Sequence, residues 1–178
     1  NFEIRKYLVD YDDVMNTQRD VIYKQRDQAL LGENIKDLIL NYIHEEIDLI
    51  INDHNEMDSS FYRDITKIIP KDEFAEEEIS DYTDSPIDLK QSLYEFTEKL
   101  YISRKENIGD TIISEFSKAV LLKSIDENWV EHLTSMDSMR QGIGLEAAGQ
   151  RDPLVAYKRT GYAMFKNLND TIRSSVSI

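Results

Sequence analysis

Hydrophobic residues recur every three or four positions along most of the chain, a spacing that predicts helices and no strands. The first predicted helix covers residues 2–30 and ends near Gly32, which suits a helix C-cap. Gln18 and Gln25 interrupt its apolar stripe, and polar residues on a packed face suggest contact with other protein surface. The stripe consists of Ile4, Leu8, Tyr11, Met15, Ile22 and Ala29.

Shorter helices are predicted in the middle of the chain. One runs from about residue 33 to residue 52 and has a wide apolar face. A second, around Phe61, is stopped by Pro70. After a poorly periodic acidic stretch, a third resumes at Leu89. We therefore expect a small acidic helical lobe here.

The last part of the chain predicts two long helices joined by a short turn. The first covers residues 109–140, and Gly142 and Gly144 are expected to stop it. The second begins at Pro153, which suits a first helical turn, with Asp152 as its N-cap. Two helices with so short a connection form an antiparallel hairpin. The apolar stripe of the first consists of Ile112, Phe116, Ala119, Leu122, Ile125, Trp129, Leu133, Met136 and Met139.

Net charge narrows the possible partners. The chain has a formal charge of −14, and residues 45–98 alone carry 17 acidic and 4 basic side chains. An acidic surface repels phosphates, which argues against binding of nucleic acid or anionic lipid by this segment. There is no cysteine, so disulfides and thiolate metal sites are excluded from this sequence. The absence of an initiator methionine suggests part of a longer protein.

Motifs for catalysis are few. Neither a GxxxxGK[ST] loop nor GxGxxG occurs, and His44, His54 and His132 lie on separate segments without metal-ligand spacing. Asp10 and Asp13 share a helix face, so one interpretation of this pair is a binding site for a divalent cation. We favour the interpretation that these residues make a polar contact with a neighbouring domain.

Trp129 lies on the apolar stripe of the first hairpin helix and is predicted to be a core residue. Its indole ring would accept a cation on its face. Arg19 or Arg26 of the first helix is the expected partner.

Several runs of residues towards both ends of the chain form a recognisable series. They are Asn1–Arg19, Ile22–Arg26, Trp129–Asp137, Arg140–Leu145, Gln150–Leu154 and Tyr157–Arg159. Together they cover about half of the chain. In content and order these runs resemble the SecA family, the ATP-driven motors of bacterial protein secretion.

The resemblance implies three parts. Residues 1–31 would be the long helix of the helical scaffold domain, residues 32–105 the helical wing domain, and residues 106–178 the two-helix finger that completes the scaffold. In this family the long helix contacts the nucleotide-binding and preprotein-binding domains of the same chain. The residues expected to make these interdomain contacts are Tyr11, Asp12, Asp13, Arg19 and Arg26, and Trp129 would pack the finger.

The resemblance also implies partners and a location. The finger tip would contact the SecY channel complex and the unfolded preprotein, at the inner face of the bacterial plasma membrane. ATP and magnesium would belong to the parent protein, with no cofactor, no catalytic residue and no nucleic acid bound in this part. The tip residues implied are Gly142, Ile143, Gly144, Leu145, Glu146, Ala147 and Ala148.

Two positions depart from the family pattern. The general secretion motor usually has arginine where Glu146 stands and tyrosine where Ala148 stands, which favours an accessory SecA paralogue. Two other functions stay open from the residues. One is an autonomous acidic helical adaptor that binds a basic protein, and the other is an enzyme that uses Asp10 and Asp13 with a divalent ion.

Overall fold

The computed structural model describes residues 2–32, 34–71, 73, 86–146 and 152–178. In these residues the chain forms six helices and no strand, which confirms the all-α prediction. The helices are α1 Phe2–Leu31, α2 Ile35–Asp53, α3 Ser59–Ile68, α4 Pro86–Ile108, α5 Asp110–Glu146 and α6 Pro153–Ser177. Contacts divide them into two compact units, Asn1–Glu33 with Leu121–Ile172 and Asn34–Val120 with Arg173–Ile178. The boundaries of scaffold, wing and finger stay a prediction.

The first unit contains α1, the larger part of α5, and α6 up to Ile172. One buried cluster comprises Ile22, Ile125, Trp129, Leu168 and Ile172. A second comprises Tyr11, Met136, Ile143 and Tyr157. Because early α5 residues pack against late α6 residues, and late against early, the two helices are antiparallel, as the hairpin prediction requires.

The second unit packs α2 against α3 and α4. Its core comprises Ile47, Phe61, Ile65, Ile69, Leu89 and Leu93. Asp48 on α2 accepts hydrogen bonds from Tyr94 Oη at 2.5 Å and from Lys90 Nζ at 2.7 Å on α4. Asp58 caps α3 by accepting from the backbone N–H groups of Ser60 and Phe61. The acidic middle of the sequence thus has a packed core beneath its charged surface.

Two of the predicted helix ends are found where expected. Gly32 follows α1 with a φ of 70°, a left-handed conformation that glycine adopts without steric cost. At the start of α6, the carboxylate of Asp152 accepts a hydrogen bond from the N–H of Val155 at 3.3 Å. Both are the roles that the sequence predicts.

The predicted end of the first hairpin helix is wrong. Helix α5 continues through Gly142 and Gly144 to Glu146. Glycine costs about 1 kcal/mol relative to alanine inside a helix. Ile143 between them is buried against Tyr11, Met136 and Tyr157, so tertiary packing offsets that cost.

The predicted apolar stripe of α5 is also only partly buried. Ile112 and Phe116 near its start are 61% and 65% exposed, whereas Ile125, Trp129 and Met136 are buried. Periodicity shows which residues share a helix face, but it does not show where the covering element stops.

Candidate functional site

A buried polar bridge joins α1 to both hairpin helices. Gln18 on α1 is 5% exposed and His132 on α5 is 6% exposed. The Oε1 atom of Gln18 lies 2.7 Å from His132 Nε2, and Gln18 Nε2 donates to the carbonyl oxygen of Gly161 on α6 at 3.2 Å. The carbonyl fixes the orientation of the amide, because only its NH₂ group donates. His132 must therefore carry its proton on Nε2.

Gly161 allows this bridge to form. An added Cβ at this position would lie 3.0 Å from Met136 Cε and 3.8 Å from Gln18 Nε2. The missing side chain thus leaves room for α5 and for the Gln18 amide.

Further contacts fix the register of α1 along the hairpin. Gln25 Nε2 donates to Asn169 Oδ1 at 3.3 Å, and Arg26 Nε donates to Asp126 Oδ1 at 2.9 Å. Together with the Gln18 contacts, they show that α1 runs parallel to α6 and antiparallel to α5. The Oε1 atom of Gln25 is buried and has no hydrogen-bond partner among the described residues.

Trp129 is a core residue, but its ring partner differs from the prediction. It is 7% exposed and packs in the cluster with Ile22 and Leu168. Its ring stacks on His132, with centroids 5.5 Å apart, and His132 in turn lies 5.9 Å from the Phe165 ring. The guanidinium of Arg26 pairs with Asp126 instead, and that of Arg19 donates to Asn16.

Burial also affects the protonation of His132. Removal of the ring from water lowers the pKa of His132 below its ordinary value, because the charged form loses hydration. The Nε2–H group that donates to Gln18 is present in the neutral ring, so the bridge does not require the charged form. Desolvation by the surrounding helices is the cause that favours the uncharged histidine at this position.

A second polar group lies closer to the hairpin tip. The Tyr11 and Tyr157 rings are tilted with centroids 4.6 Å apart, and the Arg140 guanidinium lies 4.9 Å from the Tyr11 centroid. Arg140 also approaches Asp12 at 3.7 Å. Burial raises the pKa of Tyr157, so the phenol stays neutral.

The predicted tip residues have two different environments. Ile143 is buried in the cluster with Tyr11, whereas Leu145 is 87% exposed. Gly142 and Gly144 belong to the last helical turns of α5. The side chain of Glu146, and all of Ala147 and Ala148, lie outside the described residues.

The residues predicted to contact other domains are likewise divided. Tyr11 and Arg26 engage the hairpin, and Asp12 approaches Arg140 of the hairpin at 3.7 Å. Asp12 and Asp13 are exposed, and Arg19 is partly buried. The backbone carbonyl oxygen of Asp13 accepts a hydrogen bond from Thr17 Oγ1 at 2.9 Å. Contact with domains outside this chain stays a prediction.

A surface cleft of about 400 Å³ opens beside these residues. Its lining combines two carboxylates and two guanidinium groups with methionine, leucine and tyrosine side chains. The lining residues are Asp12, Met15, Asn16, Arg19, Leu133, Met136, Asp137, Arg140 and Tyr157. Methionine side chains adapt to varied apolar partners, so this surface suits contact with polypeptide.

The chemistry of catalysis is weakly represented. In the described residues, no three His, Asp or Glu side chains are grouped as metal ligands would be, Asp10 and Asp13 included. His54 lies 3.1 Å from Asp64 and 3.3 Å from Ser60 Oγ, an arrangement with the elements of a nucleophile triad. However, Ser60 Oγ donates to Asp58 at 2.6 Å. Its one proton is therefore committed to the helix cap, not to the histidine.

The bridge at Gln18 could be anticipated only in part. Its interruption of an apolar stripe is visible in the sequence and indicates a polar contact on a packed face. His132 falls next to the stripe of α5 and carries no comparable signal, and the pairing spans 114 positions along the chain.

Among the helices of the described ranges, none is both long enough and apolar enough to cross a bilayer. This finding agrees with the mean hydropathy of −0.53 for the chain.

Comparison with known proteins identifies the family. The family described as the SecA Wing and Scaffold domain matches residues 1–177. Protein translocase subunit SecA 1 of Clostridioides difficile is 36% identical over 178 residues, which cover 97% of this chain and 20% of that protein. Protein translocase subunit SecA of Clostridium botulinum (strain Alaska E43) is 38% identical and covers 98% of this chain. The relative in Desulforamulus reducens is also 38% identical, over 99% of this chain.

The chain spans about one fifth of the length of these curated relatives. The match nevertheless runs through both compact units, from the first long helix to the end of α6. This chain belongs to the family of SecA wing and scaffold domains.

Proposed function

We propose that this chain is the scaffold and wing part of a SecA-like protein translocase, in which α1 couples motion of the motor domains to the α5–α6 hairpin. The observation that carries the proposal is the buried polar bridge at Gln18. The buried Gln18 amide of α1 bonds to α5 and to α6 at one level. Movement of α1 would therefore be passed to both hairpin helices together.

Coupling between distant sites needs a stiff element that two sites bias. Helix α1 has 30 residues and α5 has 37, so they extend about 45 and 55 Å at 1.5 Å per residue. Gln25 and Arg26 attach α1 to the hairpin at a second level along the helix. Two contact levels along α1 restrain both sliding and rotation of the hairpin relative to it.

The hairpin tip would be the part that contacts the SecY channel and the preprotein. Leu145 is exposed next to a buried anchor, Ile143, so an apolar probe is presented from a fixed base. Glu146 and Ala148 replace the arginine and tyrosine usual in the general motor, and for this reason we place the parent among accessory SecA paralogues. ATP hydrolysis with magnesium would belong to the domains absent from this chain, at the cytoplasmic face of the plasma membrane.

An acidic helical adaptor is the second candidate. The observation in its favour is the charge of residues 45–98, which contain 17 acidic and 4 basic side chains. Such a lobe would attract a basic protein, and the attraction would weaken with salt. The two functions make different predictions for the hairpin tip, since only the translocase function requires it to meet a moving chain.

Site-specific cross-linking separates them. Leu145→Cys would be introduced into the full-length parent, otherwise free of cysteine, and tested on a preprotein stalled in transit. Val130→Cys is the matched control, because Val130 is 63% exposed on the same helix but 15 positions before the tip. The translocase function predicts cross-links to SecY or to the preprotein from position 145 and few from position 130.

Equal capture at both positions, or at neither, would contradict the proposed role of the tip. In that case, salt-sensitive binding of a basic protein by the second unit would favour the adaptor. A positive control is supplied by the general motor with cysteine at its own tip.

A further inference from the structure

Helix α6 presents a basic face in an otherwise acidic protein. Residues 153–169 contain Lys158, Arg159 and Lys166 and no Asp or Glu, whereas the whole chain has a formal charge of −14. All three cationic side chains are exposed. Tyr162 and Val155 lie on the same side of the helix and are 72% and 58% exposed. We call these five residues the basic face of α6.

The five residues share one side of the helix. Val155, Arg159, Tyr162 and Lys166 follow one another at steps of three or four, and Lys158 lies one turn before Tyr162. The opposite side of α6 is already used, because Tyr157, Gly161 and Leu168 pack against α1 and α5. The basic face is therefore not needed for the core of its own unit.

The charges on this face are not neutralised within the described part of the chain. No described carboxylate forms an ion pair with Lys158, Arg159 or Lys166. By contrast, Arg26 on α1, Arg140 on α5 and Arg173 on α6 have carboxylate partners. A cluster of unpaired cations around an exposed aromatic ring attracts an anionic partner.

We propose that the basic face of α6 binds acidic stretches of the translocating polypeptide, an assignment that rests on the proposed function. The face extends about 16 Å from Val155 to Lys166 at 1.5 Å per residue. An extended segment of about five residues matches this length at 3.3 Å per residue. Glutamate and aspartate in such a segment would pair with the three cations, and an apolar or aromatic residue would pack on Tyr162.

The narrow width of the face favours a single peptide segment over a membrane. On the neighbouring helix, Glu127 and Glu131 are exposed, and Glu131 lines a groove with Asn167 and Thr171 of α6. A broad anionic surface laid across both α5 and α6 would meet these carboxylates, whereas one extended segment can follow the basic face of α6 alone.

Exposed ion pairs are weak and screened by salt. Binding at this face would therefore be fast and reversible, which suits a chain that has to pass on. Acidic stretches of the polypeptide would stay bound to α6 for longer than neutral stretches.

The test uses the full-length parent and a fluorescent peptide of about 15 residues in which glutamate alternates with glycine and serine. The matched probe has glutamine in place of every glutamate. Fluorescence anisotropy should show binding of the acidic probe that weakens several-fold between about 50 and 300 mM salt, and at least about tenfold weaker binding of the neutral probe.

Charge reversal locates the binding site. Lys158→Glu with Arg159→Glu should weaken binding of the acidic probe by about tenfold or more. Lys99→Glu with Lys123→Glu changes net charge by the same amount at exposed positions on α4 and α5, and should weaken it less than about twofold. A photo-reactive amino acid at Tyr162 should capture the acidic probe. Unchanged thermal unfolding confirms that each variant is folded.

Unchanged binding by the α6 reversal variant, or equal loss in both variants, would overturn the proposal. Vesicles of phosphatidylglycerol and phosphatidylcholine test the other anionic class. If the α6 reversal weakens vesicle binding but not peptide binding, the face serves a membrane and the proposal fails. If peptide binding is absent while Leu145→Cys still captures preprotein, only this inference fails. If Leu145→Cys captures nothing, the proposed function fails, and its assignment of a translocating chain to this face fails with it.

Discussion

The side chains of Gln18 and His132 meet at 2.7 Å in the interior of a three-helix unit, although 114 positions separate them in the sequence. Both side chains are buried, with exposed fractions of 5% for Gln18 and 6% for His132. A buried hydrogen bond of this kind adds little net stability when both partners are present, but removal of one leaves the other unsatisfied. The pair therefore specifies the register of α1 on the hairpin.

Removal of the amide should destabilise the protein. Gln18→Met keeps the length of the side chain but deprives the His132 N–H of its acceptor. We expect the free energy of unfolding to fall by about 1–3 kcal/mol, measured by urea denaturation.

Gln25→Met is the matched control, seven positions further along the same face of α1. Gln25 makes one long hydrogen bond to Asn169, and its buried Oε1 has no partner among the described residues. Methionine removes that unsatisfied oxygen, so we expect a change of less than about 1 kcal/mol. An equal loss in both variants would show that the Gln18 bridge has no special role.

Stability should also fall on mild acidification. Burial lowers the pKa of His132, so the unfolded chain takes up a proton at a higher pH than the folded one. The contribution of the neutral ring is fully present above the ordinary histidine pKa of about 6.5 and is lost as pH falls below it towards the lowered folded value.

Denaturation curves between pH 7.5 and pH 5 would measure this effect. Burial lowers the pKa of His44 as well, so the wild type alone does not isolate His132. The comparison is therefore with His132→Gln, which should lose part of the pH dependence in this window. Parallel pH profiles for the variant and the wild type would contradict the assignment.

Local patterns predicted much of this fold correctly. The three-to-four spacing indicates α1 and the hairpin, and Gly32 and Asp152 mark helix ends because capping is decided by the residue and its immediate neighbours. The interruption at Gln18 was a usable signal of a polar contact. Its partner was not predictable, because nothing local distinguishes His132 from any other histidine beside an apolar stripe.

The errors concern packing between distant segments. Two glycines predict a helix end at residue 140, but Ile143 is buried by Tyr11 and Tyr157, which lie on other helices. Ile112 and Phe116 continue the apolar period of α5 and are nevertheless exposed. In both cases the outcome depends on which element lies opposite, and the period of a single helix does not contain that information.

Ile143 should therefore hold the end of α5 in place. Ile143→Ala removes a buried side chain between two glycines, and we expect a loss of about 2–4 kcal/mol in the free energy of unfolding. Leu145→Ala, two positions later, truncates a side chain that is 87% exposed, and should change it by less than about 0.5 kcal/mol. Hydrogen exchange of the amides near residue 144 should speed up only in Ile143→Ala, and similar rates in both variants would contradict the anchoring role.

The two glycines themselves give the opposite prediction. A Cβ added at Gly142 or Gly144 would meet nothing within 4 Å, and both residues are helical. Alanine should therefore stabilise the last turn of α5, by about 0.5–1 kcal/mol at each position, through helix propensity and a less flexible unfolded chain. Denaturation and slower amide exchange near residue 144 would measure this gain.

The functional consequence separates two reasons for glycine at these positions. If the tip only has to be held out from the hairpin, the Gly142→Ala and Gly144→Ala double variant of the full-length parent should translocate as fast as the wild type. If the tip must unwind to follow a changing substrate, translocation should slow although the protein is more stable. We expect the second result, because glycine costs helix stability at both positions without relieving any steric contact there. An unaltered rate of translocation in the more stable variant would show that the glycines do not serve movement of the tip.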